Sequence, residues 1–548
     1  MKEDAPTNSN EDGASLLTSL SATDAWPAAD GARIEVIQTH ISMLFFVGDR
    51  VYKVKKPVDM GFLDYSTLEA RRRFCEEEVR LNRRLAPDVY LGVRPITRDD
   101  HGMIRLDGEG ETIDYAVEMQ QLPADRMLDS LLERNEVTPQ QIDTLVERLV
   151  DFHSSCATGA GVDEHATPDD LRAQEIDNLD GLQRFTGPDG FVPQELLDSV
   201  RCAMTAFIDR RRTLLAHRVE EGRVREGHGD LHAGNICLLD DEFVMYDCIE
   251  FSRRFRCRDV AAELSYLAMD FDRLGRRDLA RRLLERYADR TDDLTMSRVA
   301  RFYKAHFAII RAKVLALKSI ESEVEPSDRT RARAEATRFV QLAVGYLVPA
   351  CLIVMCGLPG SGKSFLASAL TWALDAEWIR TDVLRKSLAG REATTRTDAA
   401  DREAIYSEAM TRHVYERMRT EAKRTIANDG RIAILDATHS SRDERGRARD
   451  LARSLGVEVI LIEATAEESS IRDRLDARRS QRDEPSDADW TVYEQARERF
   501  EPTDEWEPES RLIIRTDERS VEETVTDALV LVARRTDAAT GLALDKPR

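Results

Sequence analysis

The 548 residues carry 80 Lys and Arg against 102 Asp and Glu, a net charge of −22. A chain of this length exceeds what one hydrophobic core can bury, so two or three domains are expected. The acidity argues against general affinity for nucleic acid or an anionic membrane, while 42% apolar and 6% aromatic residues suit a soluble globular protein.

The eight cysteines form no C-x-x-C pair and no signal-peptide pattern opens the chain, so reduced thiols and a cytoplasmic location are expected. Residues 1–30 are rich in Ser, Thr, Asn, Asp and Ala without apolar periodicity, and are expected to be a disordered tail. From Ile34 the pattern alternates, with turn signals at Gln38-Thr-His40 and Gly48-Asp-Arg50. Three short antiparallel strands are expected there. Ser66–Leu85 reads as a helix with a possible Ser66/Glu69 capping box, and Arg105–Met119 returns to strand-like alternation. After Pro123 the chain is mostly helical, including an amphipathic run from Pro139 to His153. Segments 157–170 and 185–193 read as loops, and helices resume from Val260 to about Val344.

Within that first part, His228-Gly-Asp230-Leu-His232-Ala-Gly-Asn235 precedes Tyr246-Asp247-Cys-Ile-Glu250. An Asp, an Asn five residues on, and a second Asp after a short strand form a pattern that suits phosphoryl transfer. Asp230 would orient an attacking hydroxyl, and Asn235 with Asp247 would hold Mg²⁺. A strand lysine paired with a helix glutamate should grip the nucleotide phosphates. Lys53 and Lys55 share one strand face, so spacing alone does not choose between them. His228 and His232 could be metal ligands, but a structural hydrogen-bonding role is favoured for the first. Glu250 is a candidate support for the metal site, and Arg258-Asp259 reads as structural.

The strand–loop–helix context around Gly357-Leu-Pro-Gly-Ser-Gly-Lys-Ser364 satisfies G-x-x-x-x-G-K-[ST] at every required position. The loop amides would cradle phosphate, Lys363 would reach the β/γ-phosphates, and Ser364 would face Mg²⁺. Gly357, Gly360, Ser361, Gly362, Lys363, Ser364 and Phe365 are therefore nucleotide-site candidates. Beyond Cys351 strands at 351–356, 376–381, 431–437, 457–463 and 511–516 alternate with helices, which implies a parallel sheet covered on both faces. Asp382 follows the second of these strands as a candidate base. Asp436 ends the third as a carboxylate for the Mg²⁺ shell or a substrate contact, and Arg474 and Arg478 lie on an arginine-rich helix that could close as a lid.

The stretches THISMLFFVGDRVYKVKKPV, EEEVRLNRRLAP, VYLGV, HGDLHAGNICL, YDCIEF and CGLPGSGKS resemble a bacterial two-part family. In it an aminoglycoside phosphotransferase-like domain is fused to a P-loop kinase-like ATPase. The resemblance implies a bilobal α+β protein-kinase-like domain, then an α/β P-loop domain. It implies Lys53 as the strand lysine, Glu78 as its partner, Asp230 as base, and Asn235 and Asp247 as metal ligands. No G-x-G-x-x-G precedes Lys53, so the Gln38–Ser42 turn must cover the phosphates. The second part is similar to gluconate kinases, zeta-toxin-like kinases and the kinase part of polynucleotide kinases.

The expected organisation is thus a tail (1–30), a kinase-like domain (31–345, lobes 31–122 and 123–345), a P-loop domain (346–536) and a frayed tail (537–548). The expected activity is ATP- and Mg²⁺-dependent transfer of phosphate to a hydroxyl of an unidentified small molecule. Three rivals are nucleotidyl transfer by the first domain, an ATP sensor beside one catalytic domain, and a polynucleotide 5′-hydroxyl kinase. The net charge disfavours the last.

Overall fold

The computed structural model describes residues 16–26, 34–61, 63–321, 324–392, 405–478 and 488–540. It resolves into two compact units. The first comprises Met1–Thr167 with Leu214–Met296, and the second Pro168–Thr213 with Ser297–Arg548.

In the first unit, strands β1 (Glu35–Gln38), β2 (Ser42–Val47), β3 (Arg50–Lys55), β4 (Tyr90–Arg98), β5 (Ile104–Leu106) and β6 (Glu111–Gln120) form an antiparallel sheet ordered β1-β2-β3-β6-β4-β5. The expected three-strand start is present. Strand β4 was not among the expected strands, and it contains Pro95. Its register with β6 is irregular at Tyr90/Gly92 and Ile96/Thr97. Helix α1 (Leu68–Asn82) packs on β6 and β4. Its N-cap is Thr67, whose hydroxyl accepts from the Ala70 amide at 3.1 Å, so the Ser66/Glu69 capping box does not form.

The tail expectation is corrected for residues 16–26. Leu16, Leu20, Ala25 and Trp26 are buried against Phe45, Tyr52 and Ile104, and the Trp26 indole donates to the Leu20 carbonyl at 2.7 Å. The sheet needs a cover on this face, and four apolar residues among polar ones supply it. The helical part of this unit holds α2 (Pro139–Ser155) and α3 (Val260–Arg273), flanking the hairpin β8 (Ile236–Leu239) and β9 (Glu242–Met245), and the pair β7 (Val224–Glu226) and β10 (Cys257–Asp259). Arg218 is fully buried, clasped by Asp259 at 2.6 Å and Asp293 at 2.7 Å. This confirms a structural role for Asp259.

The second unit contains a parallel sheet ordered β12 (Glu377–Arg380), β13 (Ala433–Asp436), β11 (Leu352–Cys356), β14 (Val459–Thr465) and β15 (Arg511–Arg515). Every residue of β11 is buried, as a central strand covered on both faces must be. The apolar stretch 342–356 is the end of helix α4 (Pro326–Leu347), a turn and β11. No described helix is long and apolar enough to cross a membrane. Helix α4 lies against α5 (Lys363–Leu374), the helix that follows the phosphate loop. At their crossing a Cβ on Gly345 would stand 1.8 Å from the Ala373 carbonyl, so only glycine fits. Residue 345 thus falls inside this unit and inside a buried helix. The frayed-tail expectation is corrected at its start: Ala538 is buried, and Arg210 donates to the Thr540 carbonyl at 2.8 Å.

Candidate functional sites

The loop from His228 to Asn235 is fixed from behind by α3. Both carboxylate oxygens of Glu263 are used. One accepts from the amides of His228 (2.7 Å) and Gly229 (2.6 Å), and the other meets His153 Nε2 at 2.7 Å. Tyr287 holds the far nitrogen of His153 at 2.8 Å. Burial would push the Glu263 carboxyl up, but the hydrogen bond and charge of His153 and the amides outweigh it, and its pKa falls to about 2. Asp270 accepts from the Ala233 amide at 3.0 Å, pinning the loop's other end.

His228 is buried. Its Nδ1 accepts from the Asp230 amide (3.3 Å), so its Nε2 carries the proton and donates to the Tyr246 carbonyl (2.9 Å). Both ring nitrogens are engaged and burial lowers its pKa, so it is a neutral structural histidine rather than a metal ligand. The Nδ1 of His232 accepts from the Gly234 amide at 3.1 Å.

Asn235 donates from Nδ2 to the Asp230 carbonyl (3.0 Å) and carboxylate (3.3 Å). The amide nitrogen is thereby spent, which leaves Oδ1 as the group able to face a cation. Asp247 sits at φ 64°, a left-handed conformation unusual outside glycine. Its amide donates to the Tyr90 hydroxyl at 3.1 Å, and the next amide, of Cys248, donates to Asn82 at 2.9 Å. These two anchors hold the turn in place.

Lys53 and Lys55 both reach Glu78. Lys53 Nζ lies 2.8 Å from Glu78 and 2.7 Å from Asp247. Lys55 Nζ lies 2.7 Å from the other Glu78 oxygen and also pairs with Glu250, which accepts from Tyr65 as well. Lys55 is wholly enclosed, whereas the Lys53 side chain keeps 12% exposure. Burial raises the Glu78 carboxyl, but the two ammonium groups more than offset this and hold it well below its ordinary range. Lys53 is therefore the lysine that opens toward Asp247, and Lys55 is the brace behind it. Glu250, the candidate support for the metal site, is a partner of that brace.

In the second unit the phosphate loop joins β11 to α5, with Gly357, Gly360 and Gly362 all at positive φ. A Cβ on Gly362 would lie 2.9 Å from Thr516 Oγ1. Thr516 donates to the Ser361 carbonyl at 2.6 Å and accepts from Arg474 at 2.9 Å, and Arg474 also points at the Gly360 carbonyl (3.4 Å). Arg474 on α7 (Glu468–Arg478) thus touches the loop directly. The side chain of Arg478 lies outside the described residues.

Asp436, at the C-terminal end of β13, is almost fully buried. Burial raises its pKa, against the opposing influence of Lys363, a hydrogen bond from Ser364, and Arg380. Its Oδ2 accepts from the Trp378 indole at 3.1 Å, while Oδ1 has no hydrogen-bond partner among the described residues. Ser361 Oγ is likewise unsatisfied. A buried carboxylate with an unpartnered oxygen beside a serine hydroxyl is chemistry that suits a phosphate-bound divalent cation, while the lysine ammonium suits the phosphate itself. Asp382 lies in the first turn of α6 (Thr381–Leu388), whose N-cap residue is Arg380. A cavity of about 620 Å³ opens beside the loop, lined by Gly362, Ser364, Phe365, Trp378, Arg380 and Arg474; Asp436 and Asp382 are not among its lining residues. Phe365 is 64% exposed there, a large apolar ring left to a ligand. All of this sits outside the carboxyl ends of the strands, where β11 is flanked by β13 and β14, the switch point at which such sheets bind ligands.

The sequence did not mark Glu263, Tyr287, Tyr65 or Thr516. Their contacts span long stretches of chain, and the one local sign was Asn82 within EEEVRLNRRLAP.

The AAA domain family matches residues 352–503. The chain is 30% identical over 457 residues to the uncharacterized protein Rv2004c of Mycobacterium tuberculosis (strain H37Rv), covering 83% of this chain and 88% of that protein. Mb2027c of Mycobacterium bovis matches equally. Among solved structures, a gluconokinase from Sinorhizobium meliloti covers 35% of this chain and 95% of its own, at 19% identity and TM-score 0.24. A choline kinase from Cryptosporidium parvum covers 60% and 94%, at 10% identity and TM-score 0.35.

Proposed function

The chain belongs to the family of the mycobacterial protein Rv2004c, and from its two sites we propose that it is an ATP-dependent phosphotransferase with a nucleotide site in each unit. The observation that carries this reading is Asp436, a buried carboxylate with one unpartnered oxygen that lies within reach of Lys363 and Ser364. ATP is the phosphoryl donor and a small-molecule hydroxyl the acceptor. Mg²⁺ held at these sites would supply positive charge to offset that of the phosphates.

In the second unit the loop amides and Lys363 hold the nucleotide phosphates, with Gly357, Gly360, Ser361, Gly362 and Phe365 shaping the pocket. Ser364 and Asp436 hold the cation. Asp382 accepts the acceptor's proton, and Arg474 meets charge developing on the transferred group. In the first unit Lys53, set by Glu78, holds the phosphates. Asn235 and Asp247 are the cation ligands, and Asp230 orients the hydroxyl that attacks. The protein works in the cytoplasm on this reading.

The test is a metabolite-library screen with γ-labelled ATP on the full chain, on Asp230→Ala and on Lys363→Ala. Label should pass to a small molecule, with each substitution abolishing a distinct product. Products heavier by AMP would point to nucleotidyl transfer. Loss of all turnover in one variant alone would make the other site a sensor, and robust labelling of oligonucleotide 5′ ends would replace the small-molecule acceptor.

A further inference from the structure

A second cavity in the first unit, of about 530 Å³, lies apart from the phosphoryl-transfer residues. It is lined by Arg73, Phe74, Glu76, Glu77, Arg80, Glu250, Phe251, Arg253 and Arg256. Asp230, Asn235 and Asp247 do not line it. One wall is the outer face of α1 and the other is the segment that follows Asp247.

The charges of this wall do not cancel. All three carboxylates are committed: Glu250 to Lys55 and Tyr65, Glu77 to Arg80 and Arg256, and Glu76 to Arg72. Among the guanidinium groups Arg256 and Arg80 are paired. Arg253, half exposed, has among the described residues a single ion pair, at 3.5 Å with Glu226. Arg73 lies over the Phe74 ring at 4.6 Å and makes no ion pair among the described residues. The cavity therefore offers uncompensated positive charge beside two aromatic rings, Phe74 and Phe251. That chemistry suits an anion carried on a flat, apolar body.

The cavity also shares parts with the nucleotide grip. Glu250, 5% exposed, lines it and at the same time holds Lys55, which holds Glu78. Glu76 and Glu77 precede Glu78 on α1. A ligand that bridges Arg73 and Arg253 would tie α1 to the segment after Asp247, and Glu78 lies on that helix. A ligand at one site acts on another only by its difference in affinity for two states of the protein, and the effect is reciprocal.

We propose that this cavity is an effector site for a small aromatic anion, and that its occupancy is transmitted to Lys53 through Glu250, Lys55 and Glu78. The transmission rests on the nucleotide-site reading of the first unit; the binding does not.

The probe is anilinonaphthalene sulfonate, an aromatic sulfonate, titrated by fluorescence into the full chain at saturating Mg·ADP. Saturable binding is expected that weakens with salt and falls at least tenfold in Arg73→Glu/Arg253→Glu. The exposed Arg331→Glu control, on α4, should not change it. Equal affinity in the double variant, or an equal loss in the control, overturns the site. ADP affinity is then measured in Lys363→Ala, with and without the probe. A several-fold shift supports transmission, and an unchanged affinity overturns it. If this variant binds no ADP, the nucleotide reading of the first unit falls and transmission with it, while the sulfonate titration still decides the cavity.

Discussion

Lys53 Nζ and Asp247 Oδ1 stand 2.7 Å apart, though 194 positions separate them in the chain. The contact joins β3 to the turn after β9, and Glu78 shares the same ammonium group. Lys53→Met should therefore weaken nucleotide binding at the first site by roughly tenfold or more, the worth of one charge-assisted bond. Lys55→Met should instead destabilise the unit by about 3–5 kcal/mol, because it strands Glu78 and Glu250 as buried charges. Calorimetric ADP binding in a Lys363→Ala background and thermal melting separate the two outcomes. Equal effects of both variants on both measurements would remove the distinction between grip and brace.

Acid stability should report on Glu263. Its carboxyl falls from 4.5 to about 2 on folding. A depressed acid contributes stability that is complete above 4.5 and is lost as pH drops toward 2. The difference amounts to about 3 kcal/mol at neutral pH. Glu263→Gln should lose most of that and flatten the pH dependence of urea unfolding over this window. An unaltered slope would show that the loop is held elsewhere.

Asp436→Asn tests the second site. The substitution removes a buried carboxylate whose pKa burial raises, so thermal stability should hold or improve. ATP turnover at this site should drop on the order of a hundredfold, as when a preorganised charge contact is lost. A variant with wild-type turnover would exclude Asp436 from the cation site.

A fragment beginning at residue 346 should melt well below the corresponding transition of the full chain. It lacks almost all of α4, so the α5 face that receives Gly345 becomes exposed. An equal midpoint would mean that α4 contributes nothing to this unit.

Leu20→Ala should cost about 2–5 kcal/mol, since Leu20 is fully buried in the cluster around Phe45. Urea titration of the first unit's transition checks it, and a change within error would return residues 16–26 to the status of a tail.

The phosphate loop, the parallel strands and the Asp230–Asn235–Asp247 series could be read from sequence because each is local. Their signals are a fixed spacing, an apolar run and a turn. What escaped depends on distance. Glu263 is one acid on a helical face until His153, 110 positions away, is placed against it. Lys53 and Lys55 are equivalent by strand period, and only the depth of Lys55 beside Tyr65 separates them. Leu16, Leu20 and Trp26 are diluted by Ser, Thr and Asp, so no window average reveals them. Their burial follows from the bare sheet face at Phe45 and Tyr52. Strand β4 escaped as well: it carries Pro95, and a proline is tolerated in a strand where the ladder is already irregular.

The packing of Trp26 on Phe45 and Tyr52, with ring centroids 5.3 and 4.8 Å away, gives the protein a built-in optical gauge. The other four tryptophans, at 372, 378, 490 and 506, all belong to the second unit. With those four replaced by phenylalanine, the emission colour of one indole would follow the opening of the first unit alone, in real time and in the intact chain.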